Sequence, residues 1–404
     1  MSETWRKAAP VAFALAFAAV PLFPSFITLT AVAFPGVSVV PLPMALVVLG
    51  LMVLLALWAI VVVLMPPRAP VPLARPIGAW LLACLLSVAL GFNPRDGLIF
   101  VGILGLAAIW HVALMREYDD GAVARASWWS FVVSGTIACV VALGMIVTRV
   151  PASQYTIAHG RAVGTFVLPG ELAGFLIFFL PITFALARVA KSRVLRTLCW
   201  CAFGIGALTM LATFSRTGWV GLASAAGFWI AANERGRKRG LIAAGAVLAA
   251  ALVLVLALFN EHHNPSENYT RITIWQAALG VIDRFPLTGV GPFGFSHIYP
   301  FVRLPDGDET AFHAHSMYLT FLAELGVVGF SAFVWTVVAA GRELVRRLRG
   351  AKPEAALLAL AVAAGLVGTL VQGLIDTVSV VIFGLFLPML ALALLTARSG
   401  TGDA

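Results

Sequence analysis

Residues 41–68 read PLPMALVVLGLMVLLALWAIVVVLMPPR, and Arg68 is the first charged residue after Lys7. A helix that crosses a bilayer needs roughly 20 predominantly apolar residues. The uncharged stretch between Lys7 and Arg68 has room for two, with a turn at Pro35-Gly36. The whole chain follows the same composition. Of its 404 residues, 61% are hydrophobic and 11% charged, and the mean hydropathy is +0.98. A soluble fold of this size needs more charge to cover its surface, which excludes secreted, cytosolic and disordered classes. Cys84, Cys139, Cys199 and Cys201 all lie in apolar runs. They read as small buried hydrophobes, not as a disulfide framework or a metal site.

Working outward at this grain, spans are expected near 8–31, 42–65, 77–92, 97–115, 126–148, 171–187, 197–214, 217–233, 240–259, 316–340, 354–375 and 377–397. The expected architecture is an all-α polytopic membrane protein of about 12 helices, a single membrane domain over 1–404. Arg6-Lys7 before an apolar run resembles a signal peptide, but the run is too long and lacks a cleavage site, so an uncleaved first helix is expected. Lys and Arg set the orientation. The termini, the segments 66–76, 116–125, 188–196, 234–239 and 341–353, and their span edges carry 20 basic and 8 acidic residues. The alternate loops carry 7 and 10. The split, +12 against −3, predicts cytoplasmic termini and accounts for the net +9 without nucleic acid.

The outer side still holds seven arginines, namely Arg95, Arg149, Arg161, Arg216, Arg271, Arg284 and Arg303, and no lysine. Six of the seven histidines are there too; His111 lies within a helix. Arginine on the disfavoured side suits bidentate recognition of phosphate or carboxylate. Two outer loops are long, 149–170 and 260–315, and long loops in compact proteins are usually functional. In the second, Asn268 or Thr270 is expected to cap a helix through 271–285. Ile272, Trp275, Leu279 and Ile282 would form its apolar stripe, lying on the membrane surface or against the bundle. Arg271 would then start the helix, where a cation opposes the dipole unless an anion joins it.

Two motif matches carry little. Gly289-Val290-Gly291-Pro292-Phe293-Gly294 fits G-x-G-x-x-G, but no strand precedes it, so it reads as a Gly/Pro turn. Asp306-Gly307-Asp308-Glu309 resembles an acidic cation site, and reads better as a solvated turn. The stretch His313-Ala314-His315-Ser316-Met317-Tyr318 is more informative because it enters the tenth span. An imidazole at the membrane edge can exchange protons near neutral pH. Tyr318 lies one turn along on the face of His315, and Glu324 lies opposite. Glu324 is expected to satisfy a polar contact in the bundle, with Gly326 and Gly329 permitting close helix approach.

These residues resemble the O-antigen ligase family. His315-Ser316, nine residues, then Gly326-Val327-Val328-Gly329 match the family motif, although Phe330-Ser331 stands where that motif has threonine-proline. Arg161-Ala162-Val163-Gly164-Thr165-Phe166, Ser215-Arg216-Thr217-Gly218, and Arg271 with Trp275 leading to Pro286-Leu287-Thr288-Gly289-Val290-Gly291 add to the resemblance. It implies a fold like other lipid-linked-sugar glycosyltransferases of the GT-C type, with the 260–315 loop periplasmic. It further implies transfer of a glycan from undecaprenyl pyrophosphate to lipid A–core oligosaccharide in the bacterial inner membrane. Partners would be that donor, that acceptor and membrane lipids, and no cofactor or metal is expected. His315, Arg161 and Arg216 are then the catalytic candidates, and Arg271, His313 and Tyr318 the substrate-binding ones.

Within the superfamily, an O-antigen polymerase or a protein O-oligosaccharyltransferase is the nearest rival reading. A lipid-linked-glycan flippase is the rival of another class. Transport would call for charged or broken helices near the midplane, often in two repeated halves. No internal repeat is evident, and almost every ionisable residue sits at a span end.

Overall fold

The computed structural model describes residues 6–23, 42–65, 71–118, 121–233, 265–305, 307–349, 351–376 and 382–396, with the isolated positions 240 and 245. The expected span at 240–259 and residue Asp306 lie outside them. The described residues form helices: α1 Ala9–Leu22, α2 Leu42–Leu64, α3 Ala74–Leu90, α4 Pro94–Glu117, α5 Gly121–Thr148, α6 Ala152–Ile157, α7 Pro169–Val189, α8 Arg193–Ala212, α9 Arg216–Asn233, α10 Pro265–Arg284, α11 Phe295–Val302, α12 Met317–Leu348, α13 Pro353–Gln372 and α14 Ile382–Thr396. Six of them, α4, α5, α7, α8, α12 and α13, are long and apolar enough to cross a membrane. Shorter apolar helices join them at Ala9–Leu22, Gly50–Leu64 and Ala74–Leu90. The chain is an all-helical, multi-pass membrane protein, as lipid requires when every backbone polar group must be satisfied internally.

The nine expected spans that fall wholly on described residues each overlap a helix, and the described parts of 8–31 and 377–397 carry α1 and α14. The bundle is built from pairs: α1 against α5, α9 against α13, α7 against α8 and α13, α3 against α12, and α4 against α14. The most enclosed helix is α7, where Phe175, Phe178 and Phe179 are fully buried. Phe175 and Phe179 stack at 5.5 Å between ring centroids. Cys84, Cys139 and Cys199 are buried as expected, but Cys201 is exposed on α8, which corrects its reading as a buried hydrophobe.

The segment 265–315 has a small core of its own. Ile274, Ala277, Ala278 and Val281 of α10 pack with Val290, Phe295, Tyr299, Ala311, Ala314 and Ala323. Two expectations change here. The helix starts at Pro265, so Arg271 sits in its second turn, beyond the first turn where the dipole argument applies. The buried face also differs from the expected stripe, because Ile272 and Leu279 are exposed and Trp275 and Ile282 only half-buried. Ile274, Ala277, Ala278 and Val281 make the buried face instead, and Ile282 of the expected stripe packs at its margin.

The largest departure is in α12, which is broken at Gly326 (φ 61°). The carbonyls of Ala323 and Glu324, freed by the break, accept from Val290 N (3.0 Å) and Gly291 N (2.9 Å). The amides of Val327 and Val328 donate in return to Pro286 O (2.8 Å) and Leu287 O (3.1 Å). Gly326 therefore serves a close approach by a loop, not by a helix as expected. The Gly/Pro turn at 289–294 is the segment that fills the break, and its reading as a turn stands. The side chain of Glu324, 2% exposed, accepts from Phe295 N (3.3 Å) at the start of α11. With the Ala323 and Glu324 carbonyls taken, neither is open to coordinate an ion as the freed carbonyls of broken transporter helices do.

Candidate active site

The candidate residues gather around the short turn 373–376 that leaves α13. His313 and His315 lie just before α12. Ser316 is the N-cap of that helix and its hydroxyl accepts from Leu319 N, so His315 precedes the helix instead of starting it. Its backbone is left-handed (φ 46°), a conformation that costs a non-glycine residue energy and persists only where neighbours hold it. Those neighbours are visible. Met317 N donates to Gly373 O (2.8 Å) and Asp376 O (3.1 Å). Ala314 N donates to Thr320 Oγ1 (3.2 Å), and His315 N donates to His313 Nδ1 (3.2 Å). That last bond fixes His313 as the neutral tautomer with its proton on Nε2. The two rings stand 4.5 Å apart, edge to face.

Electrostatics keeps both rings uncharged near pH 7. Burial, then the neighbouring His315 and Arg271, press the His313 pKa down to about 3. For His315, burial and the Arg271 cation lower the pKa, while the carboxylates of Asp376 and Asp308 pull it back up. Arg271 reaches across from α10, its Nη1 donating to Ile375 O (2.7 Å). Its remaining donors meet no acceptor among the described residues. Asp308 accepts from Thr270 on α10 (3.4 Å), which keeps the loop after α11 beside the same site.

Arg161 is placed differently. Its Nε donates to Thr213 O (2.9 Å) and its Nη2 to Phe214 O (3.3 Å), while Ala162 N bonds Ala212 O (2.9 Å). It braces the turn from which Arg216 opens α9. Thr217, the next residue, donates to Asp376 Oδ2 (3.3 Å). The network thus runs from Arg161 through 213–217 to Asp376, and from there to Met317 and to His315, whose pKa the Asp376 carboxylate raises. Tyr318 is not brought to this cluster by its hydroxyl. That group donates to Leu370 O of α13 (2.7 Å), and its ring lies against Phe330.

Two residues outside the expected set hold the site together. Asp376 joins α9, α12 and α13; its mark in the sequence is a lone acid between two apolar spans. Ser87 of α3 lies 2.6 Å from Thr288 O and 2.7 Å from Glu324 O, linking the broken helix to the turn that fills it. A serine inside an apolar span carries no mark of that role.

No curated protein matches the chain. Residues 201–334 match the family model described as O-antigen ligase. The matched stretch contains Arg216, Arg271, His313, His315 and Tyr318, and Arg161 and Asp376 lie outside it. Over that third of the chain the sequence is similar to O-antigen ligase-type proteins, which supports a membrane glycosyltransferase of the ligase and polymerase type.

Proposed function

We propose that the chain joins an O-antigen glycan, carried on undecaprenyl pyrophosphate, to the lipid A–core oligosaccharide at the periplasmic face of the inner membrane, with both termini cytoplasmic. The observation that carries this reading is a histidine pair held neutral beside a cation, Arg271, which still has donors to offer. A sugar hydroxyl is a poor nucleophile, so a neutral imidazole that accepts its proton helps it attack. The hydroxyl oxygen bonds the anomeric carbon as the carbon–oxygen bond to pyrophosphate breaks, and the proton passes to His315. Displacement from the opposite side inverts the anomeric centre. Negative charge gathers on the departing pyrophosphate, where guanidinium donors stabilise the transition state.

In this scheme Arg271 and Arg216 face the leaving group. Arg161, with two donors on carbonyls, positions the turn that bears Arg216. His313 orients the His315 backbone, and Tyr318 holds α12 against α13 beside the acceptor path. Arginine neutralisation of the pyrophosphate makes the step independent of metal. The experiment is a reconstituted assay with purified lipid-linked donor and lipid A–core. Glycan on lipid A–core supports the ligase. Longer glycans left on the carrier, with lipid A–core untouched, would make the protein a polymerase.

A further inference from the structure

The end of α12 farthest from His315 carries a second kind of site. Beyond the break at Gly326 the helix runs to Leu348, a stretch that at roughly 1.5 Å per residue gives about 33 Å, enough to cross the ~30 Å hydrocarbon core. Its last three turns hold a groove of about 610 Å³ lined by Val338, Gly341, Arg342, Val345, Arg346 and Arg349. At about 100° per residue, Trp335, Val338, Arg342, Val345, Arg346 and Arg349 fall on one face. Gly341 forms a notch at its edge, where an added Cβ would meet nothing within 4 Å.

The four cations of this end differ in what holds them. Arg347 turns inward and donates to Leu394 O of α14 (2.6 Å). Arg346 pairs with Glu343 at 2.6 Å. Arg342 and Arg349, both exposed, meet no acceptor among the described residues. Along the same face toward the membrane centre, Val334, Trp335 and Val338 are 40%, 48% and 44% exposed, and Val345 is 51%. An apolar strip of Val334, Trp335 and Val338, followed toward the helix end by Arg342 and Arg349, which meet no acceptor among the described residues, mirrors a phospholipid, with its chain in the membrane and its phosphate at the surface.

We infer that this groove seats one anionic phospholipid, its phosphate between Arg342 and Arg349 and an acyl chain along Val338 and Trp335. Charge complementarity and the order of apolar and cationic groups along the helix both select that occupant over a soluble protein segment. The reading stands apart from the glycosyl-transfer proposal, since it concerns the opposite membrane surface and holds for either orientation of the chain.

The test is native mass spectrometry of the full-length protein, delipidated in detergent and offered equal phosphatidylglycerol and phosphatidylcholine. Two unpaired arginines predict a preference for phosphatidylglycerol of roughly tenfold or more. The preference should fall to near unity in the Arg342→Gln/Arg349→Gln double variant and survive in the Arg193→Gln control at another exposed cation. Gly341→Trp, which fills the notch and leaves the charges, should also weaken retention. A wild-type protein without preference, or a double variant or Gly341→Trp protein that keeps it, overturns the inference. Displacement of the lipid by millimolar inorganic phosphate would do the same, because the site would then hold a bare anion.

Discussion

Gly289 and Gly326 each lie against the backbone of the segment that carries the other. Both have left-handed φ, 67° and 61°. A Cβ on Gly326 would stand on the Leu287 carbonyl, and one on Gly289 on the Glu324 carbonyl. Their contact docks the turn after α10 into the break in α12, and so fixes the helix that bears Arg271 relative to the one that follows His315. Gly326→Ala should destabilise by more than the roughly 1–2 kcal/mol of left-handed strain alone, because the clash is with backbone that cannot swing aside. Thermal unfolding in detergent should show a lower midpoint, and limited proteolysis should cut near 286–294. An unchanged midpoint and cleavage pattern would mean that the docking is dispensable.

The arginines separate by what they hold. Arg216→Lys and Arg271→Lys keep the charge but lose the fork, and should lower transfer by about 10- to 100-fold, the worth of one charge-assisted hydrogen bond. Arg271→Lys should lower the unfolding midpoint less than Arg161→Lys, since it gives up one carbonyl bond, to Ile375 O. Arg161→Lys should lower activity and midpoint together, since it gives up bonds to Thr213 O and Phe214 O. Full turnover in all three would reject guanidinium recognition of the pyrophosphate. Turnover should also persist in excess EDTA. Its abolition, with rescue by Mg²⁺ or Mn²⁺, would bring Asp306, Asp308 and Glu309 forward as ligands.

How far the sequence reached depends on the kind of contact. Spans were legible because bilayer thickness imposes a length on every apolar run, as in the 42–65 stretch that became α2. Arg271, His313 and His315 drew attention in the sequence because arginine and histidine concentrate in segments that the charge split assigns to one side, and the structure brings these three together. The break at Gly326 was not, since its glycine pair is 37 residues apart in sequence and meets only through tertiary backbone bonds. The first turn of α10 from Pro265 is polar and carries no apolar periodicity to mark it, and the buried face beyond is made of Ile274, Ala277, Ala278 and Val281. Asp376 escaped notice because one acid in a short turn has no spacing to read.

Two carboxylates and one guanidinium set the His315 titration in opposite senses. Asp376→Asn removes a group that raises its pKa, so the ring should stay neutral to lower pH, and the acid limb of the rate profile should move down. Arg271→Gln removes a cation that lowers it, so that limb should move toward neutrality even as turnover falls. Rate profiles of both variants, normalised to their own maxima, give the two shifts. Shifts of the same sign, or none, would break the link between this cluster and the observed titration.

The expected orientation is checked by labelling. Single cysteines introduced at 300–310 in a protein lacking its native four should react with an impermeant maleimide in cells whose outer membrane has been made permeable. Reaction only after the inner membrane is opened would put the histidine cluster on the cytoplasmic side, where the proposed donor and acceptor are not met.

The central claim is that neutral His315 takes the proton of the attacking hydroxyl. The direct measurement is turnover of wild-type and His315→Ala protein in the reconstituted assay from pH 5 to 9. The wild-type rate should be level above the ordinary histidine range and fall as acid protonates a ring whose pKa lies below it. His315→Ala should be slower by about 10²- to 10⁴-fold with an unchanged unfolding midpoint, and His313→Ala should cost less. Near-normal turnover in His315→Ala, or a wild-type rate that does not fall on acidification, would contradict the account and leave the arginines to carry the reaction through the leaving group alone.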